Sequence, residues 1–170
     1  MSADAPAVVV RPATLDDWPQ IWPVVRAVAR AGDTYAYEPD LDEAEARAAW
    51  LVAPPRATAV AVSGHRLLGV ATMGPNRPGP GGHVGTASFL VARNARGRGV
   101  GRLLAEHAVA WHREHGYRGI QFNAVVETNT AAVRLWSDLG FVVVGTVPGA
   151  FRHPTRGYVG LHVMYLPLDR

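Results

Sequence analysis

The residues from Arg96 to Gly101 have the types and spacing of a loop that binds an anion. This Arg-Gly-Arg-Gly-Val-Gly segment follows the apolar run Phe89 to Val91 and precedes a run up to Trp111 in which apolar residues recur at helical spacing. Glycines let the backbone approach a ligand closely, and the first N–H groups of a helix have no acceptor within it. The loop is therefore predicted to hold a phosphate group at the start of a helix.

The spacing of the glycines excludes two common phosphate-binding loops. A dinucleotide-binding loop requires G-x-G-x-x-G, but the sixth position counted from Gly97 is Arg102. A P-loop requires Gly-Lys-Ser/Thr, and the chain contains no lysine. The pattern that remains is R-x-x-G-x-G starting at Arg96, with Arg98 as a further positive charge beside the phosphate.

Two motifs resemble one protein family. The pattern at Arg96 is similar to the R/Q-x-x-G-x-G/A signature of the GNAT superfamily of N-acetyltransferases, in which the loop holds the pyrophosphate of acetyl-coenzyme A (acetyl-CoA). The segment from Asn129 to Phe141 resembles the N-x-x-A-x-x-L/F-Y-x-x-x-G-F motif of the same family, with Trp136 where many members have tyrosine. A finer similarity, to the branch that includes the yeast acetyltransferase of the proline analogue azetidine-2-carboxylate, lies in Phe122, Asn123, Thr128, Asn129 and the Trp136 variant.

Hydrophobic periodicity predicts the element order β-α-α-β-β-β-α-β-α-β-β. By the resemblance this is an α/β (α+β) GNAT fold, a central mixed, mostly antiparallel twisted sheet of about seven strands flanked by about four helices. The predicted elements are Val8–Arg11, a helix from Thr14 to Gly32, a helix Asp40–Trp50, strands Ala57–Val62, Leu67–Met73 and Val84–Val91, a helix ending at Gly116, a strand Ile120–Val126, a helix Thr130–Leu139, and strands Phe141–Val147 and Tyr158–Leu166.

Length and composition are typical of one soluble globular domain. The chain has 170 residues, of which 48% are hydrophobic and 18% charged, and no apolar run is long enough to cross a membrane. Met1 to Ala7 has no signal-peptide pattern, and the lack of cysteine excludes disulfides and thiolate chemistry. We therefore expect a single N-acetyltransferase domain over residues 1–170, located in the cytoplasm, and the arginine- and alanine-rich composition suggests a bacterial source.

The charge of the chain does not require a nucleic-acid partner. The net charge of +3 comes from a small excess of arginine over acidic residues. The densest basic cluster, Arg93 to Arg102, includes the predicted phosphate-binding loop, so binding of acetyl-CoA accounts for its charge. His112 and His115 are three residues apart without a third ligand, so no metal site is expected. We expect no nucleic acid and no membrane as partners, and a homodimer stays an open alternative.

The resemblance implies where acetyl-CoA binds. In the family, the strands that correspond to Val84–Val91 and Ile120–Val126 diverge, and the pantetheine arm lies in the gap like an added strand. A backbone N–H of Leu90 or Val91 would donate to the thioester oxygen. The implied cofactor contacts are Val91, Arg93, Arg96, Gly97, Arg98, Gly99, Val100, Gly101, Arg102 and Asn129.

Two asparagines are predicted to be catalytic together with Leu90. Gln121 and Asn123 alternate on one face of an apolar strand, where an unpaired buried amide would cost roughly 1–3 kcal/mol. Asn123 therefore has either a core hydrogen-bond partner or a place in the pocket that receives the acceptor. Asn129 precedes a helix and is either only its N-cap or, by the resemblance, also a contact to the cofactor.

The predicted substrate site consists of Tyr35 and Glu38 in the loop Asp33–Pro39, with Thr86, Asn123 and Arg152. By the resemblance, Arg152 lies in the last strand-to-strand loop, which overhangs the acceptor, and it would bind a carboxylate. Tyr35, Glu38 and Arg152 each have an alternative interpretation as residues exposed on the surface. Thr86 departs from the azetidine-acetylating branch, in which we expect asparagine.

The groups that move protons are left unassigned. The indole N–H of Trp136 has no accessible acidity, so it does not replace the tyrosine that protonates the leaving thiolate in many family members. The candidate bases are Glu38, Glu127, His83 and His153, or water relayed by the asparagines. The predicted function is acetylation of a small, amino-acid-like amine. The alternatives are another amine (a phosphinothricin-type compound, a polyamine or a protein N-terminus) and a non-catalytic acyl-CoA-binding module.

Overall fold

The computed structural model describes residues 6–168. These residues form seven strands and four α-helices in the predicted order. The predicted domain 1–170 and the segment without a signal-peptide pattern both extend beyond the described residues. The elements are β1 (Val8–Pro12), α1 (Trp18–Ala31), α2 (Glu43–Trp50), β2 (Ala57–Ser63), β3 (Arg66–Pro75), β4 (Val84–Val91), α3 (Val100–Glu114), β5 (Gly119–Val126), α4 (Thr130–Asp138), β6 (Val142–His153) and β7 (Gly157–Pro167).

The seven strands form one sheet in the order β1-β2-β3-β4-β5-β7-β6. Within residues 6–168 the pairing of β4 with β5 is parallel, and the other strand pairs are antiparallel. The prediction of a mixed, mostly antiparallel sheet in a GNAT fold is therefore confirmed.

The helices cover both faces of this sheet. Successive side chains of a strand point to opposite faces, and Val70 packs with α1 and α2 while the next residue, Ala71, packs with α3. Trp50, at the end of α2, is 1% exposed and lies in the cluster on the first face. Helix α4 packs Trp136 into a separate aromatic cluster under β5. The cleft described below lies between these two layers of helices.

An ion pair secures the entry into α1. The Asp17 carboxylate accepts hydrogen bonds of 2.8 and 2.9 Å from the Arg11 guanidinium and one of 2.7 Å from the Thr14 N–H. These bonds, the Arg11 bonds most of all, lower the pKa of Asp17 to about 2. A 3-10 turn precedes α1, and Pro19 occupies the first helical turn, where its missing N–H is not needed, while Pro23 lies inside the helix.

The last two strands are longer than predicted. The strand predicted over Phe141–Val147 stopped before Pro148-Gly149, but the register shifts between Val147 and Phe151 and pairing then continues to His153. Strand β6 lies at the edge of the sheet, where a proline and a bulge are tolerated. The prediction that Arg152 lies in a strand-to-strand loop is therefore wrong, because Arg152 pairs with Tyr158 inside the hairpin.

No helix in residues 6–168 is long and apolar enough to cross a membrane.

Candidate active site

A cleft opens where β4 and β5 separate. The two strands pair at Val84 with Gly119 and at Gly85 with Ile120 and do not pair further along. Beyond this point β4 continues along β3, and β5 continues along β7. Each strand therefore presents one backbone edge to the gap, which is the divergence that the sequence analysis predicted.

A cavity of about 380 Å³ occupies this gap. The loop before α2, the two facing strand edges and the start of α4 supply most of its lining. The lining residues are Thr34, Tyr35, Ala36, Tyr37, Thr86, Ala87, Ser88, Phe89, Phe122, Asn123, Ala124, Val125, Val126, Asn129, Ala132, Trp136, Phe151 and Leu161. None of them is an aspartate, glutamate, histidine, lysine or arginine, so the cavity is uncharged.

The backbone of β4 alternates between β3 and the cleft. Ala92 N–H donates to the Leu68 carbonyl at 2.8 Å at one end of the ladder, and Asn76 N–H donates to the Val84 carbonyl at 2.9 Å at the other. In an antiparallel pair, hydrogen-bonded and non-bonded positions alternate along each strand. The even-numbered residues of β4 therefore bond to β3, and the odd-numbered residues direct their N–H and C=O groups the other way: Gly85 toward β5, and Ala87, Phe89 and Val91 into the cleft.

This alternation distinguishes between the two predicted oxyanion donors, the backbone N–H groups of Leu90 and Val91. Leu90 stands opposite Val70 at a bonded position, and its side chain is 3% exposed. Its N–H therefore points to β3, so the donor role does not fit Leu90. Val91 and Phe89 are the neighbouring residues whose N–H groups face the cleft.

Tyr35 reaches the edge of β4 from the loop between α1 and α2. Its hydroxyl accepts a hydrogen bond from the Phe89 N–H and donates one to the Phe89 carbonyl, both at 2.9 Å. Its ring stacks on Tyr37 with centroids 5.5 Å apart and meets the edge of Trp50 at 6.2 Å. Burial raises the pKa of Tyr35, so the phenol stays protonated at neutral pH. The predicted acceptor residue Tyr35 thus lies inside the cleft.

The glycine loop lies between the end of β4 and the start of α3. Gly97 and Gly99 have φ angles of 73° and 78°, a region that favours glycine, and neither has an atom within 4 Å of the place where a Cβ would lie. Helix α3 begins at Val100 without a side-chain cap, and Leu103 N–H is the first to bond back, to Gly99 at 3.1 Å. The N–H groups of Val100, Gly101 and Arg102 have no acceptor within the helix.

The arginines around this loop divide into two groups. Arg93, Arg96 and Arg98 are exposed beside the glycines. Arg102 instead forms an ion pair of 2.9 Å with Asp138, which links α3 to α4. A second cavity of about 330 Å³ lies between the end of α1 and Val91, Arg93 and Arg96. The first three arginines are therefore placed for an anion at the loop, while the guanidinium of Arg102 already has a carboxylate partner.

Asn129 is the N-cap of α4 and also lines the cavity. Its Oδ1 accepts a hydrogen bond of 3.3 Å from Ala132 N–H. The cap directs the amide to the positive end of the α4 dipole, which faces the cleft.

Asn123 is held by a neighbour that the sequence analysis missed. Its Nδ2 donates to Asn76 Oδ1 at 2.7 Å, and its Oδ1 accepts from Asn76 Nδ2 at 3.3 Å and from Gln121 Nε2 at 2.9 Å. Asn123 is exposed rather than buried, because β5 has no partner strand on this side. The expectation of a buried strand at Asn123 is therefore wrong. Asn76 follows β3 in a Pro/Gly-rich loop, where no periodic signal distinguishes it.

Trp136 forms part of an apolar wall of the cleft. It is 7% exposed, and its ring lies 4.9 Å from Phe89 and 4.8 Å from Phe122 between centroids. Its indole packs in an aromatic cluster and offers the cleft no proton that could be transferred.

Several predicted residues lie outside the lining of the cavity. Glu38 is exposed, and Arg152 follows Phe151, whose ring lines the cavity, so strand alternation directs Arg152 to the opposite face. Thr86, in contrast, lines the cavity. The Glu127 carboxylate accepts a hydrogen bond of 2.6 Å from Gly160 N–H and is occupied by the backbone of β7.

The two histidines considered as bases make local contacts. His83 Nδ1 lies 3.1 Å from the Pro80 carbonyl, and His153 Nδ1 accepts from Thr155 N–H at 3.2 Å. Neither lines the cavity. Among the described residues, no group of three His, Cys, Asp or Glu side chains could hold a metal ion.

Comparisons with known proteins agree with this geometry. The family model described as "Acetyltransferase (GNAT) family" matches residues 18–141. A GCN5-related N-acetyltransferase from Kribbella flavida is 57% identical, with a TM-score of 0.93 over 95% of this chain and 98% of that one. N-acetyltransferase aca1 of Schizosaccharomyces pombe is 35% identical over 65% of this chain, which spans 54% of that protein's length.

A more distant structure adds support for the fold. A phosphinothricin acetyltransferase from Sinorhizobium meliloti, in complex with acetyl-CoA, has a TM-score of 0.86 over 95% of this chain and 89% of that one, at 20% identity. The chain therefore belongs to the acetyltransferase (GNAT) family, which confirms the prediction of an acetyl-CoA-dependent N-acetyltransferase.

Proposed function

We propose that this enzyme transfers the acetyl group of acetyl-CoA to the amine of a small, amino-acid-like acceptor inside the cleft between β4 and β5. The observation that carries the proposal is that β4 runs from Phe89, which lines the cleft, to Val91, which lines the second cavity beside Arg93 and Arg96. Gly101, in the first turn of α3, lies close enough to Val91 that an added Cβ would contact its side chain at 3.7 Å. A phosphate at the loop and an acyl group in the cleft can therefore belong to one extended molecule.

The residues present suit the two ends of acetyl-CoA. The free N–H groups at the start of α3, with Arg93, Arg96 and Arg98, would hold the pyrophosphate. The cleft-facing backbone of Val91 would pair with the pantetheine arm, as a strand edge pairs with an added strand.

The acceptor is argued from the polarity of the cavity. No carboxylate lines it, so nothing there would hold the second ammonium group of a polyamine. The paired amides of Asn76 and Asn123 and the hydroxyl of Thr86 offer neutral donors and acceptors to an amine and a carboxylate. The N-terminus of α4 adds partial positive charge. The resemblance to the azetidine-acetylating branch supports the amino-acid class, while Thr86 in place of the expected asparagine argues for a different member of it.

A substrate panel tests this proposal. Release of free thiol from acetyl-CoA should be fastest with proline-like imino acids or ordinary amino acids, slower with their methyl esters, and slowest with spermidine. Asn123→Ala should raise the KM for the acceptor roughly 3- to 10-fold, because one neutral hydrogen bond is lost, and should leave the KM for acetyl-CoA unchanged. Asn76→Ala should change the acceptor KM in the same direction, because Asn123 then loses its partner.

Three results would contradict the proposal. Faster turnover of esters or spermidine than of free acids would exclude the amino-acid class. An unchanged acceptor KM in Asn123→Ala would remove Asn123 from the site. Binding of acetyl-CoA without turnover of any amine would favour the alternative of a non-catalytic acyl-CoA-binding module, in which the lack of a tyrosine at the Trp136 position has no consequence.

We also propose that the enzyme is a homodimer joined through β6. This edge strand exposes Val142, Val143, Val144 and Val147 to extents between 45% and 67%, and no charged residue lies between Val142 and Phe151. Uncharged, apolar edge strands invite pairing with another chain. A second copy fits because two identical strands can pair antiparallel about a two-fold axis.

A charge at this edge tests the dimer. Val147→Lys should shift the mass measured by light scattering from dimer to monomer, because two like charges would meet at the symmetric interface. The control is Val9→Lys on β1, at the opposite edge of the sheet, where the side chain is equally exposed at 55%. A parent protein that is monomeric at micromolar concentration would contradict the proposal.

A further inference from the structure

We propose that Tyr35 gives its proton to the sulfur of coenzyme A as the acetyl group leaves, an inference that rests on the proposed function. The role is open in this chain because Trp136 stands where many relatives have tyrosine. Trp136 is packed between Phe89 and Phe122 and cannot serve as an acid.

The lining of the cavity leaves few other donors. It contains no cysteine and no charged side chain, so Tyr35 and Tyr37 are its two titratable residues. The Tyr35 hydroxyl bonds to the β4 edge at Phe89, whereas Tyr37 stacks behind its ring. Thr86, Ser88 and Thr34 have aliphatic hydroxyls, which are far weaker acids than a phenol. Tyr35 is thus the acidic group that touches the strand edge.

The position on β4 places Tyr35 at the reacting end of the cleft. The odd-numbered residues of β4 face the cleft, and Val91 lies nearest to the glycine loop. An arm that entered from the loop would pass Val91 first, and its thioester end would then reach Phe89. The hydroxyl that binds both backbone groups of Phe89 therefore lies at the point where the acceptor half of the cleft, with Thr86 and Asn123, begins.

Aromatic contacts fix the ring of Tyr35, but its hydroxyl O–H bond can rotate. Stacking on Tyr37 and the edge contact with the buried Trp50 fix the ring. The O–H bond rotates about the ring carbon, so it can leave the Phe89 carbonyl and point to a sulfur atom. The Phe89 N–H continues to donate to the phenolic oxygen during this change, which stabilises negative charge on it.

The proton balance of the step is complete. The amine nitrogen forms a bond to the acetyl carbon, and the carbon–sulfur bond breaks with its electron pair on sulfur. Tyr35 transfers its proton to that sulfur and takes up the proton that the nitrogen loses as it becomes an amide. The products are the N-acetyl compound and free thiol, and Tyr35 returns to its protonated form. Burial raises the pKa of Tyr35, so the phenol carries its proton at neutral pH before the step begins.

The binding test compares coenzyme A with desulfo-coenzyme A, which lacks the sulfur. The parent should bind coenzyme A about three- to tenfold more tightly, because the phenol donates a hydrogen bond to sulfur. Tyr35→Phe should bind both ligands equally. Tyr117→Phe is the matched control, since it removes the hydroxyl of a half-buried tyrosine outside the cavity, and it should keep the parental preference. Calorimetry gives these affinities without any turnover, so the test stands even if the acceptor assignment fails.

The kinetic test measures the loss of kcat in Tyr35→Phe and its partial recovery in a double variant. Tyr35→Phe should lower kcat by about 100-fold or more, the usual size of general acid catalysis, with the KM for acetyl-CoA within about twofold of the parent. Adding Trp136→Tyr to Tyr35→Phe should restore part of kcat, because it returns a phenol to the family position. Melting curves identify variants that have not folded.

Two results would overturn the inference. If Tyr35→Phe keeps the parental kcat and the preference for coenzyme A over desulfo-coenzyme A, Tyr35 moves no proton. If Tyr35→Phe binds both ligands more tightly than the parent and has the parental kcat, the Tyr35 hydroxyl serves only as a hydrogen-bond partner for the backbone N–H and C=O of Phe89. If Tyr35→Phe does not fold, the single variant Trp136→Tyr decides the same question: a second phenol beside an intact Tyr35 should leave kcat nearly unchanged, and a rise of tenfold or more would show that the parent lacks an acid.

Discussion

Gly99→Val is expected to lose most of the thermal stabilisation that acetyl-CoA gives to the parent enzyme. A ligand at about 100 times its Kd stabilises a folded protein by about 2.7 kcal/mol, which corresponds to roughly 5–10 °C in Tm for a domain of this size. Gly99 has a φ of 78°, and the space around its missing Cβ is empty. A valine side chain would occupy the space in front of the free N–H groups of α3, where the pyrophosphate is proposed to lie.

The strain of a valine at positive φ must be separated from this blockage. Gly116, at the other end of α3, has a φ of 76°, and no atom lies within 4 Å of the place where its Cβ would be. Gly116→Val should therefore lower the melting temperature of the free enzyme about as much as Gly99→Val does, while the shift on addition of acetyl-CoA stays parental. Equal shifts in all three proteins would show that the glycine loop does not hold the pyrophosphate.

The fold could be predicted because most elements carry local signals. The period of apolar residues and the glycines at the ends of α1 and α3 define the helices, and Gly32 has the left-handed conformation that ends α1. The prediction failed at Pro148-Gly149, because the same dipeptide serves as a turn or as a bulge in an edge strand. Only the position of β6 at the edge of the sheet distinguishes the two.

The glycine loop could be recognised from sequence because one short segment contains both its glycines and its arginines. The cleft is different, since its groups come from separate parts of the chain. The hydrogen-bonded residues Tyr35 and Phe89 are 54 positions apart in the sequence, and the hydrogen-bonded residues Asn76 and Asn123 are 47 positions apart. The direction of the Leu90 N–H depends on the register between β3 and β4, which no local pattern reveals.

The uncharged lining of the cleft also required the structure. The charged side chains considered as substrate or proton-transfer groups are near the cleft in sequence, but strand alternation and backbone contacts turn them away. Arg152 follows a lining residue and faces the opposite side, and Glu127 is bonded to Gly160. What remains in the cleft are phenols, amides and small hydroxyls, so proton transfer has to be sought among neutral groups.

Asn129 provides the second large expected effect, because its two predicted roles use different atoms. Its Oδ1 accepts the capping bond from Ala132 N–H, while no partner of its Nδ2 appears among the described residues. Asn129→Asp keeps an acceptor for the cap and removes the amide donor. We expect this variant to keep a melting temperature near that of the parent and to lose about tenfold or more in kcat, because a donor to the cofactor or thioester is replaced by a negative charge.

Two further variants separate capping from catalysis. Asn129→Ala should lose both properties, with the cap costing about 0.5–2 kcal/mol of stability. Asp42→Ala removes the cap of α2, where Asp42 accepts from Ala44 and Glu45 N–H at 2.8 and 3.3 Å away from the cavity lining, and it should lower stability alone. Parallel melting and steady-state kinetics measure all three variants. Parental kcat in Asn129→Asp would reduce Asn129 to a helix cap, and polarisation of the thioester would then depend on a backbone N–H of β4 such as that of Val91.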